Sequence, residues 1–217
     1  MENVIQINNL SKIIKKQVIL QNINLQINKN KIYGFSGPNG SGKTMTFKAI
    51  LGFVRPTSGT VIVNGQKIRK ETLFAQNIGF SITEYGPLAH KTAKENLELL
   101  ALLGNYQQWE IPKLLSYVGL DSADNRKVKE FSLGMKQRLS LAMALISNAE
   151  ILIFDEPTNA LDEDGQQFLL TMLREQQTVG KTILISSHDK TFLTKIADKI
   201  FVYNEGRIIR EENVSAG

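Results

Sequence analysis

Cysteine is absent from this chain of 217 residues, which excludes a disulfide framework and any zinc site built on thiolates. A reducing compartment is compatible with that absence and not required by it. Long hydrophobic runs are missing as well: no stretch of about eighteen apolar residues occurs, so no segment is expected to cross a membrane. Met1 to Leu10 (MENVIQINNL) lacks the basic start and long apolar centre of a signal peptide, and the chain is expected to be soluble. Low-complexity linkers and internal repeats are also lacking. Only two histidines are present, His90 and His188. The formal net charge of +5 would suit nucleic acid, an anionic membrane surface or phosphate ligands, but Lys and Arg run along the chain in the pattern of an ordinary solvated surface. What the sequence does have is 42% hydrophobic residues, enough to fill the core of one large domain with lobes.

The first third alternates apolar and polar residues in VIQINNL (Val4–Leu10), ILQNINLQI (Ile19–Ile27) and TVIVNGQKI (Thr60–Ile68). This is the pattern of half-buried antiparallel strands, with Asn64-Gly65 as a turn. Between them KIYGFS (Lys31–Ser36) reads as a short strand leading into a glycine-rich loop and a helix, MTFKAILG, that closes on Gly52. From Thr92 to Leu120 the apolar residues of ENLELLALL and IPKLLSYVGL recur with helical period, punctuated by Gly104 and Pro112, so a helical lobe is expected there. A further helix opens in FSLGMKQRLSLAMAL, with Ser132 as N-cap and Met135, Leu139, Ala142, Met143 and Ile146 as one buried stripe. Two uninterrupted apolar strands follow, ILIF (Ile151–Phe154) and TILIS (Thr182–Ser186), separated by a helix over Gln166–Gln176. That alternation indicates a buried parallel sheet. The end, KIFVYNEGRIIREE, reads as a hairpin turning at Asn204-Glu205-Gly206.

Three places carry chemistry. Gly37-Pro38-Asn39-Gly40-Ser41-Gly42-Lys43-Thr44 matches G-x-x-x-x-G-K-[ST] with a strand before it and a helix after it. Its glycines let backbone amides wrap a polyphosphate, Lys43 meets the outer phosphates and the Thr44 hydroxyl meets Mg²⁺. The strand ILIF runs straight into Asp155-Glu156-Pro157. Two acids at the carboxyl end of a buried strand are costly without work to do, and that end is where ligands bind in open α/β sheets. Asp155 fits a contact to Mg²⁺, and Glu156 fits a base for an attacking water. His188 follows TILISS at another strand end, whereas His90 sits in a loop with no partner suggested. The start of the FSLGMKQR helix poses a separate question, because Gly134 is a poor residue for a first turn that needs only a cap. A hydroxyl, little bulk and outward-facing amides suit an anion.

The order of these motifs resembles the nucleotide-binding subunits of ABC transporters, over nearly the whole chain. GPNGSGKT is similar to the family's phosphate loop, ILIFDEP to its acidic strand, NALD (Asn159–Asp162) to the loop that crosses its dimer interface, and SSHD to its switch histidine, His188. FSLGMKQR stands where the signature LSGGQ is usual, with Leu133 and Met135 in place of glycine and glutamine. The form SLGMKQR is similar to that of exporters for bacitracin, lantibiotics and related drugs. The fold class implied is α/β: a P-loop NTPase core of ABC ATPase type with an N-terminal antiparallel β subdomain and a helical subdomain. It implies a single nucleotide-binding domain over 1–217, with a core lobe about 1–84 and 147–217 and a helical lobe about 85–146. By the same resemblance Glu156 and His188 are catalytic, residues 37–44 bind nucleotide, and Ser132, Leu133, Gly134 and Met135 face the ATP held by an opposite subunit. Asn159 and Asp162 belong to the interface loop. Ile14 replaces the aromatic residue that stacks on adenine in many members, and Glu84 or Thr83 replaces the γ-phosphate-sensing glutamine, with Glu84 joining Thr44 and Asp155 around the metal.

The expected function is an ATP-hydrolysing exporter motor with ATP and Mg²⁺ as cofactors. Its expected partners are a separate transmembrane permease and a second nucleotide-binding subunit, identical or not. It would lie in the cytoplasm on the inner face of the membrane, held there by the permease. A nucleic-acid ATPase on the same core is disfavoured by the lack of a long coiled-coil insertion or a second such domain, so no nucleic acid is expected. A non-catalytic regulatory subunit is disfavoured by Glu156 and His188.

Overall fold

The computed structural model describes residues 2–104 and 110–214, so 105–109, inside the expected helical lobe, fall outside the described residues. The chain divides into two compact units, Met1–Gln76 with Leu173–Gly217, and Asn77–Met172.

In the first unit β1 (Asn3–Ile14), β2 (Gln17–Asn28), β4 (Ser58–Val63) and β5 (Gln66–Lys67) form an antiparallel sheet in the order β2-β1-β4-β5. The expected strands are present and longer than the alternation alone indicates. In β1 the buried residues Ile5 and Ile7 are followed by Leu10, and in β2 Leu20 is followed by Ile23, a slip of one residue in each. At both slips an asparagine takes a left-handed backbone, Asn9 at φ 50° and Asn22 at φ 53°, and the pairing register shifts there. These bulges absorb the extra residue and keep the apolar side chains on one face.

The second layer of this unit is built on β3 (Ile32–Ser36), buried at all five positions. It pairs in parallel with β8 (Thr182–Ser187) and with β9 (Lys199–Asn204), and β9 turns back as the antiparallel β10 (Arg207–Asn213). Uninterrupted apolar residues make β3 and β8 buried on both faces, as their composition requires. Phe35 of β3 lies at the centre of an aromatic cluster, with ring centroids 4.7 Å from Phe47, 5.4 Å from Phe201 and 5.8 Å from Tyr203. Phe47 belongs to α1 (Lys43–Leu51), which ends on Gly52 in the left-handed region as expected. α6 (Lys190–Ile196) is capped by Asp189, whose carboxylate accepts from the N–H groups of Thr191 and Phe192.

The second unit pairs β6 (Ile78–Ser81) with β7 (Ile151–Phe154) in parallel and adds α2 (Ala93–Gly104), α3 (Ile111–Tyr117) and α4 (Leu133–Leu145). α5 (Glu163–Thr178) begins in it. α2 starts with a reciprocal cap: Thr92 N–H donates to Glu95 at 2.6 Å and Glu95 N–H donates to the Thr92 hydroxyl at 3.1 Å. Lys127 adds a contact at 3.2 Å. The Thr92 amide, then Lys127, hold the Glu95 carboxyl down at about 2. α4 departs from the expected single stripe. Leu139, Ser140, Leu141, Ala142 and Ala144 are buried, while Met135, Met143 and Ile146 are only half-buried. The helix is covered over most of its middle girth, because β6 lies against its backbone: a Cβ on Gly79 would come 1.9 Å from the Ala144 carbonyl oxygen.

Candidate nucleotide site

The phosphate loop lies entirely in the first unit. Gly37, Gly40 and Gly42 all have φ between +78° and +151°, a geometry that side chains rarely tolerate. A Cβ on Gly37 would meet the Tyr203 carbonyl oxygen at 2.4 Å, and one on Gly42 would meet Leu20 at 2.7 Å, whereas one on Gly40 would meet nothing within 4 Å. The loop is thus pressed from below at two glycines and open at the third. Lys43, only 4% exposed, curls its ammonium over the loop and donates to the carbonyls of Gly37 at 2.7 Å and Pro38 at 3.2 Å. The buried Ser41 hydroxyl has no protein hydrogen-bond partner among the described residues. A buried ammonium, a cradle that a Cβ would fill and an unsatisfied hydroxyl together fit a polyphosphate. Thr44 follows, half-buried, at the second position of α1.

His188 comes to the same edge. β3 and β8 run in parallel with Ser36 opposite Ser187, so the loop and the exposed His188 leave the sheet side by side. His90 is exposed in the turn before α2. Ile14 ends β1 opposite Gln17, at 39% exposure, on a turn whose two central residues, Lys15 and Lys16, both have left-handed backbones. The strand that follows this tip touches the phosphate loop through Leu20.

The acidic turn and the helix start lie in the second unit. Asp155, 6% exposed, continues β7 and donates its N–H to the Ser81 carbonyl at 2.9 Å. Glu156 has a left-handed backbone at φ 50°, an unfavourable conformation for glutamate of the kind that gathers at functional sites. Since Ser81 stands opposite Phe154 in the parallel pair, the 3-10 turn Thr83–Tyr85 and the Asp155-Glu156 pair leave the same end of the strands. Thr83 and Glu84 are both exposed there. Ser132 caps α4 as expected, its hydroxyl accepting from Met135 N–H at 3.2 Å, with Leu133 73% exposed. Gly134 has an internal reason that the sequence does not reveal: a Cβ there would sit 3.2 Å from the Ala160 carbonyl oxygen. Asn159 and Asp162 are exposed, and the Asp162 carboxylate accepts from Gly165 N–H at 2.9 Å at the entrance of α5.

The terminal hairpin stands where the sequence places it, but its role as a buttress for the phosphate loop is not legible there. Gly206 N–H donates to the Ser41 carbonyl at 3.0 Å and its own carbonyl accepts from Gln21 N–H at 2.7 Å. The turn Asn204-Glu205-Gly206 therefore ties β2 to the loop, and Tyr203, fully buried, forms its floor. The only signal in the sequence is the turn glycine, which predicts a bend and no contact.

A family model described as ABC transporter matches residues 20–159. The chain is 41% identical over 210 residues to a lantibiotic transport ATP-binding protein, SrtF, of Streptococcus pyogenes, covering 96% of this chain and 90% of that one. It is 39% identical over 222 residues to a bacitracin transport ATP-binding protein, BcrA, of Enterococcus faecalis, covering 99% and 71%. Its fold is similar to a dimeric ATP-binding cassette, MJ0796, in a post-hydrolysis state bound to ADP and Pi, with a TM-score of 0.86, 25% identity, and coverage of 98% and 100%.

Proposed function

Since this chain belongs to the ABC transporter family, as one of its ATP-hydrolysing nucleotide-binding subunits, we propose that it drives export of a peptide antibiotic, lantibiotic or related drug. It does so together with a permease on a separate polypeptide. The observation that carries the ATPase part of this reading is the buttressed phosphate loop, with Lys43 buried over its own carbonyls and Gly40 open, and the export part rests on the likeness to lantibiotic and bacitracin transport ATP-binding proteins. No helix among the described residues is long and apolar enough to cross a membrane, which fits a motor that acts through another chain. The loop SITEYGPLAHKT (81–92), which leads into the helical lobe, is the part we assign to contact with the permease.

Each residue then has a task. Gly37 to Gly42 present backbone amides to the phosphates, and Lys43 exchanges its carbonyl contacts for the outer phosphate oxygens. By the family resemblance Mg²⁺ would take the Thr44 hydroxyl and the carboxylates of Asp155 and Glu84, donor types that suit such an ion. An ion that keeps water and phosphate oxygens in its shell needs only such partial ligation, and when bound it offsets phosphate charge. Glu156 accepts the proton of the attacking water, and His188 orients the outer phosphate. Ser132, Leu133, Gly134 and Met135 serve the ATP of a second subunit, identical or related, and Asn159 and Asp162 line the contact between the two. Ile14 covers the base.

Two substitutions test the hydrolytic assignment. Lys43→Ala should abolish the rise in melting temperature that ATP gives the parent, and unchanged ATP affinity by calorimetry would refute its role. Glu156→Gln should still bind ATP, accumulate as an ATP-bound dimer and turn over about 10²–10⁴ times more slowly. Turnover at the parent rate would assign the proton to another group. For the transport reading, co-expression with the permease should raise bacterial tolerance of bacitracin or a lantibiotic, and Glu156→Gln should remove that gain.

A further inference from the structure

We propose that the antiparallel-sheet part of the first unit carries a second site, for the phosphate headgroup of an anionic phospholipid. The site is a cavity of about 280 Å³ lined by Arg55, Thr57, Ser58, Lys67, Arg69 and Lys70, with no residue of the phosphate loop in its wall. Four cationic residues and three hydroxyl residues, the third being Thr60, line it. Glu71 is the nearby acid, and its carboxylate accepts from the backbone N–H of Lys67 at 2.8 Å. Among the described residues none of Arg55, Lys67 and Lys70 is held in a salt bridge. Arg69 is fixed in place: its backbone is left-handed at φ 63°, its Nε donates to the Gly52 carbonyl at 2.6 Å, and its guanidinium lies 5.3 Å over the Phe74 ring.

Three features select a lipid headgroup over other anions. Directly after this basic turn come Leu73 and Phe74, 63% and 45% exposed, so cations that suit phosphate stand beside apolar side chains that suit the acyl boundary. The cavity lies at the small end for a ligand site and suits one phosphate group better than a drug-sized molecule. A nucleic acid would require a cationic track along successive phosphates, whereas here the cations gather around one cavity. The charge of the chain is also less even than its overall pattern suggests. Eleven of its 26 Lys and Arg lie in the first 76 residues, which hold only two acids, Glu2 and Glu71. A basic segment of this kind is drawn to an anionic membrane surface. The contact adds to any attachment through a permease and requires no nucleotide, so it stands or falls separately from the hydrolytic reading.

The test is sedimentation of the full chain, without nucleotide or permease, on vesicles of phosphatidylcholine alone or mixed with an equal part of phosphatidylglycerol. The parent should partition onto the mixed vesicles. Arg55→Gln with Lys70→Gln should weaken that partition about 25-fold, at roughly fivefold per cation, and Leu73→Ser with Phe74→Ser should weaken it as well. Lys15→Gln with Lys16→Gln, which removes two cations outside the cavity, should weaken it far less. All variants should keep the ATP-dependent rise in melting temperature. Equal losses in the two charge variants, equal partition onto neutral vesicles, or calorimetric binding of inorganic phosphate or an oligonucleotide without sedimentation on anionic vesicles would each overturn the proposal.

Discussion

Replacing Gly37 and Gly40 separately by alanine separates what the fold demands of the phosphate loop from what a ligand demands. Both positions have left-handed backbones, so each variant carries a backbone cost of about 1–2 kcal/mol. At Gly37 the new methyl would stand 2.4 Å from the Tyr203 carbonyl oxygen and 2.9 Å from the Ser41 hydroxyl. Tyr203 is buried in β9 and paired to Ile208 of β10, so it has little room to retreat, and overpacking adds about 1–3 kcal/mol. At Gly40 the methyl would meet nothing. With about 2–4 °C of melting temperature per kcal/mol in a chain of this size, Gly37→Ala should melt ~2–12 °C below Gly40→Ala. Nucleotide binding should show a different pattern. If the space over Gly40 is where phosphate lies, a methyl there removes one or more charge-assisted hydrogen bonds and costs about 10–100-fold in ATP affinity, from about 1.5–3 kcal/mol, with the fold intact. Thermal unfolding and calorimetric titration of ATP on both variants make the comparison. Parent-like ATP affinity in Gly40→Ala would refute the placement of phosphate, and equal melting temperatures would refute the steric account of Gly37.

Nucleotide choice should be loose. If Ile14, exposed on its hairpin tip, covers the base as proposed, a stacking contact worth about 1–3 kcal/mol is missing, so GTP should compete with ATP, and a preference for ATP beyond about a hundredfold would mean that another residue reads the base. Acid stability should depend on Glu95. Its folded-state carboxyl is held at about 2, below the usual 4.5, so its contribution is present above about pH 4.5 and lost as pH falls toward 2. Stability to chemical denaturant should therefore fall more steeply over that window in the parent than in Glu95→Gln, and equal slopes would refute the assignment. Coupling should depend on the 3-10 turn at Thr83–Tyr85. Glu84→Ala should lower the stimulation of ATPase rate by the permease while leaving ATP binding nearly intact, and loss of coupling only in Thr83→Ala would place Thr83 in that role.

Alternation and turn chemistry made much of the first unit legible, because β1 and β2 bury one face and their bulges fall on asparagines that accept a left-handed backbone. Elements whose residues answer to distant partners were not legible. β6 is four residues long with Gly79 inside it, which reads as loop until α4 is seen lying where a side chain would be. α6 is seven residues long, too short for periodicity to register. The single stripe expected on α4 failed for the same reason. Ser140 is buried because its hydroxyl meets that of Ser81 at 3.0 Å, a contact between residues far apart in sequence. Pro112, read as punctuation, stands in the first turn of α3, where its missing N–H costs nothing.

The candidate site divides along the same line. The phosphate loop is contiguous, so spacing alone identifies it, while its supports, Tyr203 and Gly206, lie more than 150 residues away in sequence and leave no local trace. Gly134 shows how a correct position can rest on an incomplete cause. Read alone, a glycine in the first turn of α4 argues for an outside anion, because the helix start needs only the Ser132 cap. The structure supplies a second demand from within the same unit: the Ala160 carbonyl, two residues before Asp162, comes so close that a Cβ would be crowded at 3.2 Å. Packing of the NALD loop against α4 therefore disfavours a side chain here before any ligand is invoked. What still favours an anion is Ser132 with the exposed helix start, where the Leu133 side chain stands largely in solvent. The two causes are compatible, since the loop that crowds Gly134 is the loop proposed to meet the second subunit. A shift of Asn159–Asp162 on dimerisation would be felt at the helix start without any intervening side chain.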